Sequence, residues 1–379
     1  MNQNSKPHIL FFFSDTGGGH RSAAEAIIEA IHLEYGDMVT TEMLDFFKSH
    51  VPLPLNKMPD WYPDMVKAPQ LWGLSFKMSD GRLRARAITS STWPYVGRAA
   101  RRIVKEHPAD LVVTVHPLAT TIFLKALGKN RPPFITVVTD MVTTHALWYD
   151  RRSDLILVPT ESARERALEY GMSPAQVRVV GQPVAERCSV PAGDKATLRK
   201  KLGWEPDKMI VLLVGGGEGM GPIGKTAREI AASGLDVSLV IVAGRNQRLK
   251  AHLEALEWQV PVHIYGFTHD MPDFMRAADV LVTKAGPGTI AESLNADLPI
   301  ILYAKLPGQE DGNVTFVVEE KVGVWNPKPK QVVRTLTEWV QNPEVRMQYV
   351  ENCHRAARPD ASRQIARTIG ETLGLSPEK

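Results

Sequence analysis

Cysteine is nearly absent: the 379 residues hold two, Cys188 and Cys353. They form neither a C-x-x-C pair nor a disulfide framework, and neither is given a role. No apolar run reaches the roughly 18 to 20 residues that a membrane-spanning helix needs. The polar start MNQNSKP lacks the features of a secretory signal, so a cytoplasmic protein is expected. Internal repeats and low-complexity segments are missing, and 44% hydrophobic with 23% charged residues excludes a disordered chain. A net charge of +3 is too small to speak by itself, and no nucleic-acid partner is expected. The histidines show no H-x-x-H or H-E-x-x-H spacing, which argues against a metal site.

What is present is an alternation of strand and helix patterns. Apolar runs at 8–13, 111–115, 134–138, 155–158 and 177–180 form one set, and those at 209–214, 237–242, 262–265, 279–283 and 298–303 a second. The irregular GQPVAERCSVPAGD separates them. The class is α/β, with two doubly wound domains, 1–182 and 183–379, expected to face a cleft; the last helix is free to pack back on the first domain. Ligands should then meet the loops that follow the carboxyl ends of the strands.

The first such loop is SDTGGGHRSAAEAI. Three contiguous glycines, Gly17, Gly18 and Gly19, followed by His20 and Arg21, do not make the G-x-G-x-x-G dinucleotide fingerprint. They bring backbone N–H groups and a helix N-terminus toward a ligand. Later loops of the same half carry His116, Asp140, His145 and Trp148, and an imidazole or carboxylate at a cleft is what general-base chemistry requires.

In the second half, VLLVGGGEGMGPIGKTAREI matches the phosphate-binding G-x-x-x-x-G-K-[ST] pattern through Gly219, Gly224, Lys225 and Thr226. No acid ends a second apolar strand to hold Mg²⁺, and Pro222 removes a donor where the cradle would use one. In VLVTKAGPGTIAESLNADLPIILYAKLPGQEDGN, the residues Gly286, Pro287, Gly288 and Thr289 open a helix with Glu292 in its first turn. Helix N–H groups suit a diphosphate and Glu292 suits ribose hydroxyls; simple helix N-terminal electrostatics is the other reading of Glu292. Gln309, Glu310 and Asn313 suit sugar hydroxyls, or only a turn.

Residues 51 to 105 combine VPLPLNKMPDWYPDMVKAPQLWGLSF with eight basic residues and one acid, Asp80, between Lys77 and Lys105. That describes either a peripheral membrane element or a covered loop beside a solvated helix face.

The segments SDTGGGHRSAAEAI, VTD…H..W, GGGEGMGPI and KAGPGTIAES…GQEDGN resemble, in order and register, the monogalactosyldiacylglycerol synthase family. That family lies within a wider group of diacylglycerol glucosyltransferases and lipid II-forming N-acetylglucosaminyltransferases. The resemblance implies a glycosyltransferase B fold with a lipid acceptor on the N-terminal domain and a UDP-hexose on the other. It implies an inverting transfer, with galactose favoured over glucose, to diacylglycerol. The alternatives are a UDP-N-acetylglucosamine-using transferase or 2-epimerase of the same fold, and a P-loop NTPase. His20 is then the base, with Asp140 orienting it or sharing the role; Gly18, Gly19, His145 and Trp148 serve the acceptor. Gly216 and Gly217 allow close approach of the donor, Arg245 and Phe267 lie near the nucleotide, Gly286, Gly288 and Thr289 take the diphosphate, and Glu292 takes the ribose. Gln309, Glu310 and Asn313 meet the sugar. No D-x-D triplet occurs, so no cofactor and no obligatory metal is expected. A diacylglycerol acceptor also makes residues 51 to 105 the membrane-facing element, with Trp61, Trp72 and Phe76 at headgroup depth and Arg82, Arg84 and Arg86 on anionic lipid. The enzyme would sit on the inner face of the cell membrane.

Overall fold

The computed structural model describes residues 6–15, 18–50, 57, 68–190 and 193–377; Gly17 and Trp61 lie outside them. The chain divides into two units, Met1–Glu186 with Pro307–Gln309 and Asp360–Lys379, and Arg187–Leu306 with Glu310–Pro359. It therefore leaves the first unit four residues later than position 182 and returns to it at Asp360.

The first unit is a parallel sheet of β1 (His8–Phe13), β2 (Thr40–Asp45), β3 (Leu111–Thr114), β4 (Phe134–Val137), β5 (Leu155–Val158) and β6 (Val177–Val179), in the order β2-β1-β3-β4-β5-β6. Both faces of β1 are covered, which is why it reads as an unbroken apolar run. Ile9, Phe11 and Phe13 meet Ala24, Ile27 and Ile31 of the helix Gly19–Tyr35 and Ile365, Ala366 and Ile369 of the helix Ala361–Thr372. Leu10 and Phe12 meet Val96, Ala100, Ile103 and Phe123 on the opposite face. Arg363 and Arg367 donate to the buried Glu34 at 3.0 and 2.9 Å, which holds that carboxyl below its ordinary range and pins the C-terminal helix.

The second unit is a parallel sheet of β7 (Met209–Val214), β8 (Val237–Val242), β9 (Val262–Tyr265), β10 (Val280–Lys284), β11 (Ile300–Ala304) and β12 (Gly323–Trp325), in the order β12-β11-β10-β7-β8-β9. Strand order reverses between β1 and β3 in the first unit and between β7 and β10 in the second. In doubly wound sheets these are the points where loops part and ligands enter. The short or exposed edge strands β2 and β12 are absent from the sequence reading; the central strands coincide with it. Among the described residues no helix is long and apolar enough to cross a membrane.

Candidate functional site

At the first switch point, Gly18 takes a left-handed conformation (φ 79°) and caps the helix Gly19–Tyr35. A Cβ on Gly19 would meet nothing within 4 Å, so backbone there faces open space. His20 follows in the first turn. Its Nδ1 lies 2.9 Å from Thr139 Oγ1, and its ring stands edge-on to His116 at 4.6 Å. Burial lowers the pKa of His20 to about 4, against an upward pull from the Val115 carbonyl. The imidazole is neutral at neutral pH, the form in which it accepts a proton. His116 is also held neutral by burial and by His20, and its Nδ1 accepts the Leu118 N–H at 3.3 Å to cap the helix Pro117–Leu127.

His20 Nδ1 meets Thr139 Oγ1, and Asp140 is 7% exposed. Its Oδ2 accepts from Trp148 Nε1 at 2.7 Å and its Oδ1 from Gln309 Nε2 at 3.1 Å. Trp148, expected to shape an acceptor pocket, is fully buried, with its indole N–H donated to Asp140. Gln309, expected at the sugar, belongs with Pro307 and Gly308 to the first unit. His145 has both ring nitrogens engaged: Nδ1 accepts the Leu147 N–H at 3.1 Å and Nε2 pairs with Ser79 Oγ at 3.1 Å, while Phe76 stacks edge-on at 5.0 Å. Burial lowers its pKa. It therefore braces the loop after β4 against the helix Pro69–Ser79. Asp80, which the sequence reading passed over, completes that brace by accepting from the Ala146 N–H at 2.9 Å, the Tyr170 hydroxyl at 3.0 Å and the Arg166 guanidinium. Its signal was being the lone acid in a basic run.

On the helix Pro69–Ser79, Phe76 and Trp72 are half-buried, and the Phe76 ring meets His145 edge-on. Among the described residues of this segment, Leu71, Leu74 and Met78 are exposed along one helix face, with Leu83 and Tyr95 exposed beyond them. Arg82 and Arg86 are exposed beside Leu83 on the helix Arg82–Glu106. Arg84 also caps the preceding helix through the carbonyls of Lys77 and Asp80.

At the second switch point the turn after β7 folds on itself: Gly219 N–H donates to the Gly216 carbonyl at 3.1 Å and Met220 N–H to that of Gly215 at 2.8 Å. Gly216 adopts φ 70°. The Gly217 carbonyl accepts the Arg245 N–H at 2.8 Å. The guanidinium of Arg245 lies 4.6 Å over the ring of Phe267, itself 50% exposed, and bonds Glu218 at 2.9 Å. Gly286 caps the helix Pro287–Asn295, which carries no acid in its first turn and no side-chain cap. Space around Gly288 is open, leaving first-turn N–H groups for an anion. Glu292, expected in the first turn, lies in the second turn of this helix because the helix already starts at Pro287; it is partly buried, and burial lifts its pKa to about 7, with Arg187 opposing.

Glu310 is 3% exposed; its Oε1 accepts from Lys284 Nζ at 2.7 Å and its Oε2 from the Leu306 N–H at 2.7 Å. Asn313 supports the turn from below, donating to the Ala285 carbonyl at 2.8 Å. Lys284, the last residue of β10, was missed in the sequence. The P-loop pattern does not form a cradle: Pro222 caps the helix Ile223–Ala231, Lys225 points to solvent and Thr226 is fully buried in the core. Among the described residues no group of three His, Cys, Asp or Glu side chains is placed to hold a metal ion.

Two parallel doubly wound units, each with a glycine turn at its switch point, define the glycosyltransferase B fold. The same fold is found in MurG of Acinetobacter baumannii (TM-score 0.60, 14% identity, 96% of this chain and 99% of that one). It is found too in the UDP-GlcNAc 2-epimerase of Neisseria meningitidis bound to UDP-GlcNAc (TM-score 0.63, 15% identity, 97% and 99%). Within that class, the monogalactosyldiacylglycerol synthase family model matches residues 20–184 and the glycosyltransferase family 28 C-terminal domain matches residues 210–365. Monogalactosyldiacylglycerol synthase 2, chloroplastic, of Arabidopsis thaliana is 37% identical over 376 residues, spanning 96% of this chain and 80% of its own length. Monogalactosyldiacylglycerol synthase, chloroplastic, of Spinacia oleracea is 35% identical over 381 residues, spanning 97% and 73%. The chain belongs to the monogalactosyldiacylglycerol synthase family.

Proposed function

We propose that this protein is an inverting galactosyltransferase that moves galactose from UDP-galactose to the free hydroxyl of 1,2-diacylglycerol. The observation that carries the mechanism is the neutral imidazole of His20 at the first switch point, held by Thr139. As the acceptor oxygen attacks the anomeric carbon, its proton passes to His20. The bond from that carbon to the diphosphate breaks, and the electron pair leaves with UDP. Developing charge on UDP is met by the first-turn N–H groups of Pro287–Asn295 and by the glycine turn after β7. Glu292 accepts from the ribose hydroxyls, and Arg245 with Phe267 supports the nucleotide.

An acceptor of this kind lies in a bilayer. The exposed Leu71, Leu74, Met78 and Leu83 beside Arg82 and Arg86 support a peripheral membrane face that binds anionic lipid. The deciding experiment supplies the protein with diacylglycerol vesicles and UDP-galactose, UDP-glucose or UDP-N-acetylglucosamine in turn. Monogalactosyldiacylglycerol from UDP-galactose is the expected product. Turnover of UDP-N-acetylglucosamine without lipid would replace this reading by an epimerase.

A further inference from the structure

We propose that Lys284 is the diphosphate-binding cation of this site, and that its ion pair with Glu310 is a resting pair exchanged when the donor arrives. The ammonium passes to the diphosphate oxygens, and the carboxylate oxygen it leaves is freed for a sugar hydroxyl. The inference rests on the reading that the second unit binds a UDP-sugar.

The placement carries the argument. Lys284 ends β10, which pairs with β7 at the switch point. A Cβ on Gly216 would lie 3.0 Å from Lys284 Cε, and one on Gly286 would lie 3.0 Å from its Nζ. The lysine thus runs across the glycine turn of β7 and ends at the N-cap of the helix Pro287–Asn295, in space that both glycines leave open. Two other cations at this end of the sheet are engaged elsewhere, Arg245 with Glu218 and Phe267 and Lys305 with Asp311 and Trp325.

The partner is built for exchange. Glu310 is held by two independent donors, Lys284 on Oε1 and the Leu306 N–H on Oε2, each at 2.7 Å. Departure of the ammonium leaves the carboxylate anchored through its backbone donor, with one oxygen released. A buried ion pair is a weak source of stability, since desolvating both charges offsets most of their attraction. Its position between a glycine turn and an uncapped helix start is better explained by an anion that takes the lysine over. Phosphate and sugar recognition are coupled in this way, because an intact UDP-sugar supplies both replacement partners at once.

The test is calorimetric titration of uridine, UDP and UDP-galactose into the full chain and into Lys284→Gln, Lys284→Arg and Glu310→Gln, with a melting temperature for each. Lys284→Gln should weaken UDP about ten- to a hundredfold, the loss of a charge-assisted contact, and leave uridine unchanged. Lys284→Arg should restore most of that loss. Glu310→Gln should tighten UDP, because no carboxylate competes for the lysine, while removing the advantage of UDP-galactose over UDP. A folded Lys284→Gln that binds UDP like the parent, or loses uridine equally, overturns the assignment. So does a Glu310→Gln that weakens UDP, the signature of a merely structural pair. Should Lys284→Gln not fold, the opposite sign expected for Glu310→Gln still decides. A parent that binds neither UDP nor UDP-galactose overturns the donor reading itself, a different failure.

Discussion

If the imidazole of His20 takes the acceptor proton, turnover has to follow its protonation state. Burial moves that titration from the usual 6.5 to about 4. The unprotonated ring is the active form, so activity is full above the folded-state pKa and lost as pH falls through it. At pH 5.5 an ordinary imidazole would be about nine-tenths protonated and leave roughly a tenth of the rate, whereas His20 would leave nearly all of it. Glu292 must be separated from this effect. Its carboxyl titrates at about 7 in the ligand-free protein, and its charged form is the better acceptor for ribose hydroxyls, so donor affinity weakens as pH falls through 7. The assay is therefore kcat at saturating UDP-galactose and diacylglycerol, set beside kcat/KM for the donor, from about pH 8 to 5. A flat kcat and a donor kcat/KM that breaks near 7 are expected.

Stability imposes a control on the same experiment. His20, His116 and His145 all have pKa values lowered by burial, so below about pH 6.5 the unfolded chain binds protons that the folded one refuses. Stability is intact above that pH and falls beneath it; His20 alone accounts for up to about 3 kcal/mol by pH 4. Melting temperatures at each pH mark where acid loss is unfolding rather than catalysis. A kcat break near 6.5 in folded protein refutes the buried-base argument. His20→Ala should lower kcat about 10²–10⁴-fold with UDP affinity unchanged, and retention of more than about a tenth of the rate would move the role to another group.

Glu292→Gln should lower UDP affinity about tenfold at pH 8 and abolish its pH dependence around 7; an unchanged slope in calorimetry removes Glu292 from the ribose. Replacing Arg82 and Arg86 by Gln should flatten the salt dependence of binding to anionic vesicles, each charge contributing about 1 kcal/mol, and Leu74→Ser with Leu83→Ser should weaken binding at all salt concentrations. Equal cosedimentation of parent and variants would place the membrane face elsewhere. Asp80→Ala removes the acceptor shared by Ala146, Tyr170 and Arg166; it should cost about 1–3 kcal/mol in thermal stability while UDP titration stays as in the parent. An unshifted melting temperature would show that the brace is not needed.

How much of this could be read in the sequence follows from what each element owes to its own residues. β1 and β7 are apolar throughout because both faces are covered, and a strand of that kind announces itself. β2, a half-exposed edge strand, and the three-residue β12 bury too little to leave a pattern. Glycine turns and His20 were legible because glycine and histidine at a strand end are rare enough to need a reason. Thr139 and Lys284 carry no such mark, and Asp80 only that of a lone acid in a basic run. Each acquires its role from a partner brought in by the sheet: His20 at 119 residues' separation, Arg166 at 86 and Glu310 at 26. The same cause hides the hydrogen bond from the Trp148 indole to Asp140 and the burial of that indole, which residue types in a sequence do not disclose. What the fold adds to the motif is therefore mainly the electrostatic setting. Partial burial keeps His20 neutral where a solvated histidine would be partly charged, and the sheet end holds Lys284 and Glu310 paired until a better anion arrives.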